Sequence, residues 1–386
     1  MYDKGVVMTD ERYMARAVEL ALLGRFTTAP NPNVGCVIVR EGKVIGEGYH
    51  LYPGEPHAEI YALRMAGKLA QGATVYVTLE PCCYHGRTPP CTDALIAAGV
   101  KRVVVAMDDP NSEVSGRGRA ALAQAGILVE YGVMMAEAEA INPGFLKRMR
   151  TGLPYLQLKM AASLDGGTAM ASGESKWITS EQARQDVQHF RAQSAAILSS
   201  SATVLADNPA LTVRWLELGI DVQASYPHDR SFPSQGQIRQ PTRIILDSRN
   251  RLLPQHKVIQ QSGSCWLARI NTDKQIWPGN VEQLSLPASA SGVDLVSLMI
   301  TLAKREINSV WVEAGAQLAG ALLQAGLVDE LILYLAPRLL GDHARGLCIL
   351  PGLNNLADAP QFSLAEVRQM GSDLRLRLEP VRKSQY

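Results

Sequence analysis

No run of apolar residues in this 386-residue sequence approaches the ~20 that a bilayer-crossing helix requires. The first dozen residues carry Asp3, Lys4, Asp10, Glu11 and Arg12 where a secretory leader would place an uninterrupted apolar segment and a cleavage site, so no such leader is expected. An excess of charge of one sign is also missing. The chain has 38 basic and 37 acidic residues for a net charge of +1, and residues 1–152 hold 16 of each sign. A nucleic-acid-binding face needs clustered Lys and Arg to neutralise phosphates, so the expected partners are small molecules, with no nucleic acid and no membrane. Cysteine is scarce, six in all, yet three fall within residues 82–91. That bunching excludes a disulfide framework and points to a metal site in a reducing compartment, hence a cytoplasmic protein. Low-complexity tracts and internal repeats are absent too, and 47% hydrophobic with 19% charged residues is ordinary globular usage. The whole chain is read as folded, as a monomer or a homo-oligomer.

The length exceeds what one hydrophobic core usually serves, so two domains are expected. Apolar positions Met14, Ala17, Val18, Ala21 and Leu22 recur at helical spacing and stop near Gly24. VGCVIV (34–39) and KVIGEG (43–48) flank Arg40-Glu41-Gly42 as a hairpin. A helix from about Ala58 to Gly67, a strand at 73–79, and two further helix–strand pairs reaching residue 132 complete an α/β layered pattern. The segment NPGFLKRMRTGLP (142–154) mixes Pro, Gly and positive charge and reads as the junction, which divides the chain into 1–152 and 153–386. Strand-like runs then restart at 155–161, 195–200, 242–247, 265–269, 309–315 and 330–337, separated by helical stretches, so the second domain is also α/β. Residues 216–240, rich in Pro, Gln and Ser, read as a surface loop.

His57-Ala58-Glu59 opens the second helix, Pro81-Cys82 closes a strand, and Cys91 heads another helix. One His and two Cys suit a tetrahedral Zn²⁺ that keeps its fourth position for water. Glu59, two residues from a ligand, can move protons without holding the metal. His-x-Glu followed by Pro-Cys and a further Cys is the signature of zinc deaminases acting on bases. A structural zinc would need a fourth protein ligand, for which His85 is available. The Cys-x₈-Cys spacing departs from the Cys-x-x-Cys of nucleoside and RNA-editing deaminases, which, with the neutral charge, disfavours a nucleic-acid substrate. A zinc-stabilised binding protein without turnover would not need Glu59.

NPNVG (31–35) and TLEPCCYHGRTPPC (78–91), taken with the second-half motifs KMAASLDG (159–166), SKWIT (175–179), SSATVLADNPALTVR (200–214), LDSRNR (246–251) and VEAGAQLAGALL (312–323), resemble the bifunctional deaminase/reductase family of riboflavin biosynthesis over essentially the whole length. The resemblance implies a cytidine-deaminase-like α/β/α layered N-terminal domain and a dihydrofolate-reductase-like α/β C-terminal domain. It implies zinc-dependent loss of the 2-amino group of 2,5-diamino-6-ribosylamino-4(3H)-pyrimidinone 5′-phosphate, then NADPH-dependent reduction of the ribosyl side chain to give 5-amino-6-ribitylaminouracil 5′-phosphate. His57, Cys82 and Cys91 match its zinc ligands and Glu59 its proton shuttle. Asn31 and His50 would line the pyrimidine pocket, with Arg87 a polar or phosphate contact. Tyr84 stands where members of the family often have His.

In the second half the resemblance places Ala161, Trp177, Thr203, Asp207 and Ser248 on the cofactor, together with the run Gly315, Ala316, Gln317, Leu318, Ala319, Gly320 and Ala321. It places Ser175, Arg191, Leu211, Arg214 and Glu313 on the substrate, with Lys159 nearby. Small residues between Gly315 and Gly320 at a helix head suit either a pyrophosphate approached by backbone N–H groups or close helix packing. Arg191 and Arg214 suit a phosphate clamp through guanidinium hydrogen bonds. Ser248 with Arg249 or Arg251 suits the 2′-phosphate of NADPH. Asp207 serves either proton transfer or the turn before Asn208-Pro209. A pterin-type reductase is the alternative for this half.

Overall fold

A computed structural model describes residues 9–84, 89–111, 115–226 and 238–381. The chain forms two compact units, residues 1–151 with 225–230 and residues 152–224 with 231–386.

The first unit runs α1 (Asp10–Leu23), β1 (Gly35–Arg40), β2 (Lys43–Tyr49), α2 (Ala58–Ala66), β3 (Thr74–Val77), α3 (Cys91–Ala97), β4 (Arg102–Val105), α4 (Arg117–Gln124), β5 (Leu128–Tyr131), α5 (Met135–Ala140) and α6 (Pro143–Thr151). Its sheet has the order β2-β1-β3-β4-β5, antiparallel at β2/β1 and β1/β3 and parallel from β3 to β5. Both faces are buried, and the period of two along each strand divides the apolar side chains between two cores. Cys36, Ile38, Val75, Val77, Val103 and Val105 pack with Ala58, Ala62, Leu95 and Leu122 of α2, α3 and α4. Val37, Val39, Tyr76 and Val104 pack on the other side with Met14 and Ala17 of α1, Ala138 of α5 and Leu146 of α6. The result is the expected α/β/α sandwich.

Glycine is indispensable at two points of β2. A Cβ on Gly46 would lie 2.2 Å from the Ala62 carbonyl oxygen, and one on Gly48 would lie 2.3 Å from that of Ala58. These positions let α2 rest directly on the strand, which fixes the height at which its first turn enters the site. Within the junction segment 142–154, residues 143–151 form the helix α6, and the two compact units divide just after it, between 151 and 152. Pro143 occupies its first position, where the missing N–H is no loss, and the basic residues Arg148 and Arg150 sit in its last turn.

The second unit runs β6 (Tyr155–Ser163), α7 (Glu181–Gln193), β7 (Ala196–Ser200), α8 (Ser201–Asp207), α9 (Ile220–Ser225), β8 (Thr242–Leu246), α10 (Lys257–Gln260), β9 (Cys265–Arg269), β10 (Val281–Ser285), the two-residue pair β11 (Ala288–Ser289) and β12 (Gly292–Val293), α11 (Leu295–Lys304), β13 (Ser309–Glu313), α12 (Ala316–Gln324), β14 (Glu330–Ala336), β15 (Phe362–Met370) and β16 (Asp373–Pro380). Nine strands form one sheet in the order β10-β9-β8-β7-β13-β6-β14-β16-β15, parallel from β10 to β14 and antiparallel at the β14/β16 and β16/β15 pairs. Ile197, Ile245, Leu267, Trp311 and Ile332 from five of these strands share a core with Ala183 and Val187 of α7. The surface-loop reading of 216–240 is corrected in part by α9, while 227–237 lie outside the described residues. Among the described residues no helix is long and apolar enough to cross a membrane.

Candidate functional site

In the first unit three elements deliver three ligand-type atoms to one point. His57 caps the N-terminus of α2 in an extended conformation, Cys82 follows the end of β3, and Cys91 is the first residue of α3. Their donor atoms all lie within 4.8 Å of one another. His57 Nδ1 is 3.2 Å from Cys91 Sγ and 3.5 Å from Cys82 Sγ, and the Cys91 backbone N–H donates to the Cys82 sulfur at 3.3 Å. The Cys91 thiol and then His57 favour the ionised Cys82, drawing it well below an ordinary thiol against the effect of burial. Glu59 is buried, and its Oε2 has no hydrogen-bond partner among the described residues. Burial pushes its carboxyl up, so a proton is held there more readily than on a surface glutamate. One imidazole, two sulfurs and an unsatisfied buried carboxylate oxygen fit a catalytic zinc with its proton shuttle.

Beside this cluster His50 meets His57 edge to face at 5.6 Å. Its Nδ1 is 3.2 Å from the Pro56 carbonyl, which can only accept, so Nδ1 carries the proton and Nε2 accepts from Asn31 Nδ2 at 2.9 Å. Burial agrees with that neutral tautomer, lowering His50 to about 4. The structure therefore brings Asn31 and His50 together next to the metal-ligand group. Arg87 and His85 lie outside the described residues. The sequence did not single out Glu80, buried three residues beyond the end of β3. Its carboxylate accepts the backbone N–H groups of Asp109 (3.2 Å), Gly116 (2.9 Å) and Arg119 (3.0 Å), tying the segment that carries Cys82 to the start of α4. No feature of the sequence marked it, because its burial and its partners 29 to 39 residues away are set by the tertiary structure.

In the second unit the central strands bring three charged side chains together. β13 pairs Glu313 with Lys159 of β6, and Arg191 comes from the last turn of α7. Arg191 donates from Nε and Nη2 to Glu313 Oε1 and Oε2 at 2.6 and 2.8 Å and from Nη1 to the Thr212 carbonyl at 2.8 Å. The Trp311 indole N–H also donates to Glu313 Oε1 at 2.9 Å. Burial alone would raise Glu313, but Arg191 and Lys159 overcome it and hold the carboxylate at about 2. Burial lowers Lys159, with Glu313 opposing and Arg191 assisting. Arg214 is half exposed and pairs with Glu217, so the two arginines proposed as a clamp already have carboxylate partners.

The remaining reductase positions come after the C-terminal ends of parallel strands, where open α/β sheets receive their ligands. Ala161 lies near the end of β6, Thr203 in the first turn of α8 after β7, Ser248 after β8, and Gly315 after β13 as the N-cap of α12. A Cβ on Gly315 would meet nothing within 4 Å, whereas one on Gly320 would lie 1.8 Å from the Ile349 carbonyl oxygen. The open helix end is thus at Gly315, and Gly320 serves packing. Within α12, Leu318 and Ala319 are buried. Trp177 is 63% exposed with the Arg184 guanidinium 4.6 Å above its ring, and Ser175 lies two residues earlier. Asp207 faces Lys176 Nζ at 3.6 Å, while the left-handed cap at the end of α8 is Asn208, with the buried Leu211 three residues beyond. The cationic Arg249 and Arg251 beside Ser248, with the open N-terminus of the nine-residue α12, fit a phosphorylated dinucleotide.

These features define a zinc-type base deaminase joined to a reductase. Residues 7–107 match the family described as "Cytidine and deoxycytidylate deaminase zinc-binding region", and residues 154–376 match "RibD C-terminal domain". The riboflavin biosynthesis protein RibD of Escherichia coli (strain K12) is 65% identical over 371 residues, covering 96% of this chain and 99% of that protein. RibD of Haemophilus influenzae is 52% identical over 369 residues, covering 95% and 96%. Among solved structures, Acinetobacter baumannii RibD has a TM-score of 0.86 at 46% identity, covering 97% of this chain and 99% of that one. A Thermotoga maritima diaminohydroxyphosphoribosylaminopyrimidine deaminase/5-amino-6-(5-phosphoribosylamino)uracil reductase has a TM-score of 0.82 at 33% identity, covering 96% and 99%. The chain belongs to the RibD family of bifunctional deaminase/reductases of riboflavin biosynthesis. Its deaminase region is of the zinc-binding type, and its reductase domain implies NADPH.

Proposed function

We propose that residues 1–152 deaminate 2,5-diamino-6-ribosylamino-4(3H)-pyrimidinone 5′-phosphate and that residues 153–386 reduce the ribosyl group of the product, in the cytoplasm and without nucleic acid or membrane. The observation that carries the reading is the grouping of His57, Cys82 and Cys91 beside a buried Glu59 with an unsatisfied oxygen, in a chain that also brings the half-buried Lys159 and Glu313 together with the buried Arg191. Bound at those three ligands, zinc supplies Lewis acidity that brings a water towards ionisation at neutral pH. Glu59 carries both protons of that water in turn, the first to the ring nitrogen as the C–O bond forms and the second to the amine as the C2–N bond breaks, so that ammonia leaves and a carbonyl remains. Asn31 and the neutral His50 hold the pyrimidine, and Arg87 serves a polar or phosphate contact.

In the reductase domain NADPH supplies the hydride. Ala161, Trp177, Thr203, Asp207, Ser248 and the open start of α12 at Gly315 hold the cofactor, with Ser248, Arg249 and Arg251 on its 2′-phosphate. Lys159, Ser175, Leu211 and Glu313 orient the substrate so that C1′ of its opened, imine-like ribose accepts the hydride while the imine nitrogen takes a proton from solvent. Arg214 takes the 5′-phosphate by exchanging Glu217, and Arg191 keeps Glu313 ionised. Incubating the protein with the diaminopyrimidinone ribotide tests the reading. Loss of ammonia without NADPH and a gain of two hydrogens with it are expected by mass. Deamination of free cytidine or RNA with no action on the ribotide would refute it.

A further inference from the structure

The loop after β8 carries Ser248, Arg249 and Arg251, and any role for the groups behind it rests on the proposed assignment of these three residues to the 2′-phosphate. A single carboxylate holds that loop from inside the protein. Asp247 is fully buried; its Oδ1 accepts the Arg251 backbone N–H at 2.9 Å, and its Oδ2 accepts the Leu252 N–H at 3.2 Å and Arg269 Nη2 at 2.8 Å. The Asp247 carbonyl accepts the Asn250 N–H at 3.1 Å, closing the turn around Ser248 and Arg249. Arg269, the last residue of β9, is also fully buried. Its Nη1 donates to Asp273 Oδ2 at 2.6 Å and Gln283 Oε1 at 2.7 Å, and Trp277 covers its guanidinium at 5.0 Å. The fork therefore fixes the carboxylate, and the carboxylate fixes the backbone at 251 and 252.

Burying such a pair is costly, and apolar side chains of the same volume would fill the space with less penalty. They would not bond two successive loop amides. Arg251 shows the consequence, since its Nη2 is already directed to Ser201 Oγ at 2.9 Å. We propose that Asp247 and Arg269, which touch no ligand, are positioning residues for cofactor selectivity: they hold Ser248, Arg249 and Arg251 in the arrangement that recognises a phosphomonoester on the adenosine ribose.

The test titrates full-length protein with 2′,5′-ADP and with 5′-AMP by calorimetry, and compares NADPH with NADH in reduction. Asp247→Asn removes the charge and keeps one acceptor, while Arg269→Lys keeps the charge and loses the fork. Each should weaken 2′,5′-ADP about tenfold, the scale of one charge-assisted hydrogen bond, and leave 5′-AMP within about twofold. The NADPH preference should fall by the same factor. Equal loss of both nucleotides, or unchanged selectivity, would overturn the inference. Arg249→Ala and Arg251→Ala separate the two levels: if they lower selectivity and the buried variants do not, positioning fails alone. If none of the four variants changes selectivity, the 2′-phosphate assignment itself fails. A measurement without variants is amide exchange, in which the Arg251 and Leu252 N–H groups should be protected, and more so with 2′,5′-ADP than with 5′-AMP; unprotected amides would also overturn the inference.

Discussion

Replacing Glu313 by Gln should destabilise the reductase unit in a way that disappears in acid. The side chains of Arg191 and Glu313 are only 9% and 16% exposed, so removing the carboxylate charge leaves a guanidinium buried without its counter-ion. Glu313 sits at about 2 in the folded protein against an ordinary 4.5. At about 1.4 kcal/mol per pH unit, that difference is worth about 3 kcal/mol at neutral pH. Because the folded value is depressed, the contribution is complete above about pH 4.5 and is lost as pH falls through about 2. It should be roughly 1.4 kcal/mol at pH 3. All five tryptophans, at 177, 215, 266, 277 and 311, lie in the second unit, so urea unfolding followed by tryptophan emission reads this unit separately from the first. The gap between the parent protein and Glu313→Gln should shrink from about 3 kcal/mol at pH 7 to about half that at pH 3. A gap of constant size over that range would show that packing, not the ion pair, accounts for the loss.

Removing zinc with a chelator should abolish deamination and leave reduction of the pre-deaminated intermediate intact, because among the described residues the metal-ligand group lies only in the first unit; parallel loss of both activities would contradict independent sites. Cys82→Ser should lose metal and deamination, whereas Cys83→Ser should keep both, and metal analysis beside ammonia release distinguishes the two residues. Arg214→Ala should weaken reduction of the phosphorylated substrate by roughly ten- to a hundredfold, the value of one charge-assisted contact, and affect a dephosphorylated analogue far less. Equal impairment of both substrates would return Arg214 to a purely structural role with Glu217.

The order of helix and strand, the two-domain composition and the His57, Glu59, Cys82, Cys91 pattern were all legible in the sequence. Local periodicity and ligand spacing are properties of short segments, and the order of helix, hairpin, then alternating helix and strand already implied a layered α/β domain. Tertiary structure decided what neighbouring residues do. Gly315 and Gly320 look alike in sequence, yet the Ile349 carbonyl approaches one and nothing approaches the other. Arg191 and Arg214 read as a matched pair of phosphate ligands, but one is buried in a fork with Glu313, 122 residues away, and the other lies half exposed beside Glu217. Most of the junction segment, residues 143–151, is helical because a leading proline costs nothing there and Leu146 has a core to enter. Burial and long-range pairing set the charge state of Glu59, His50 and Glu313, and neither is a property of the residues on either side of them.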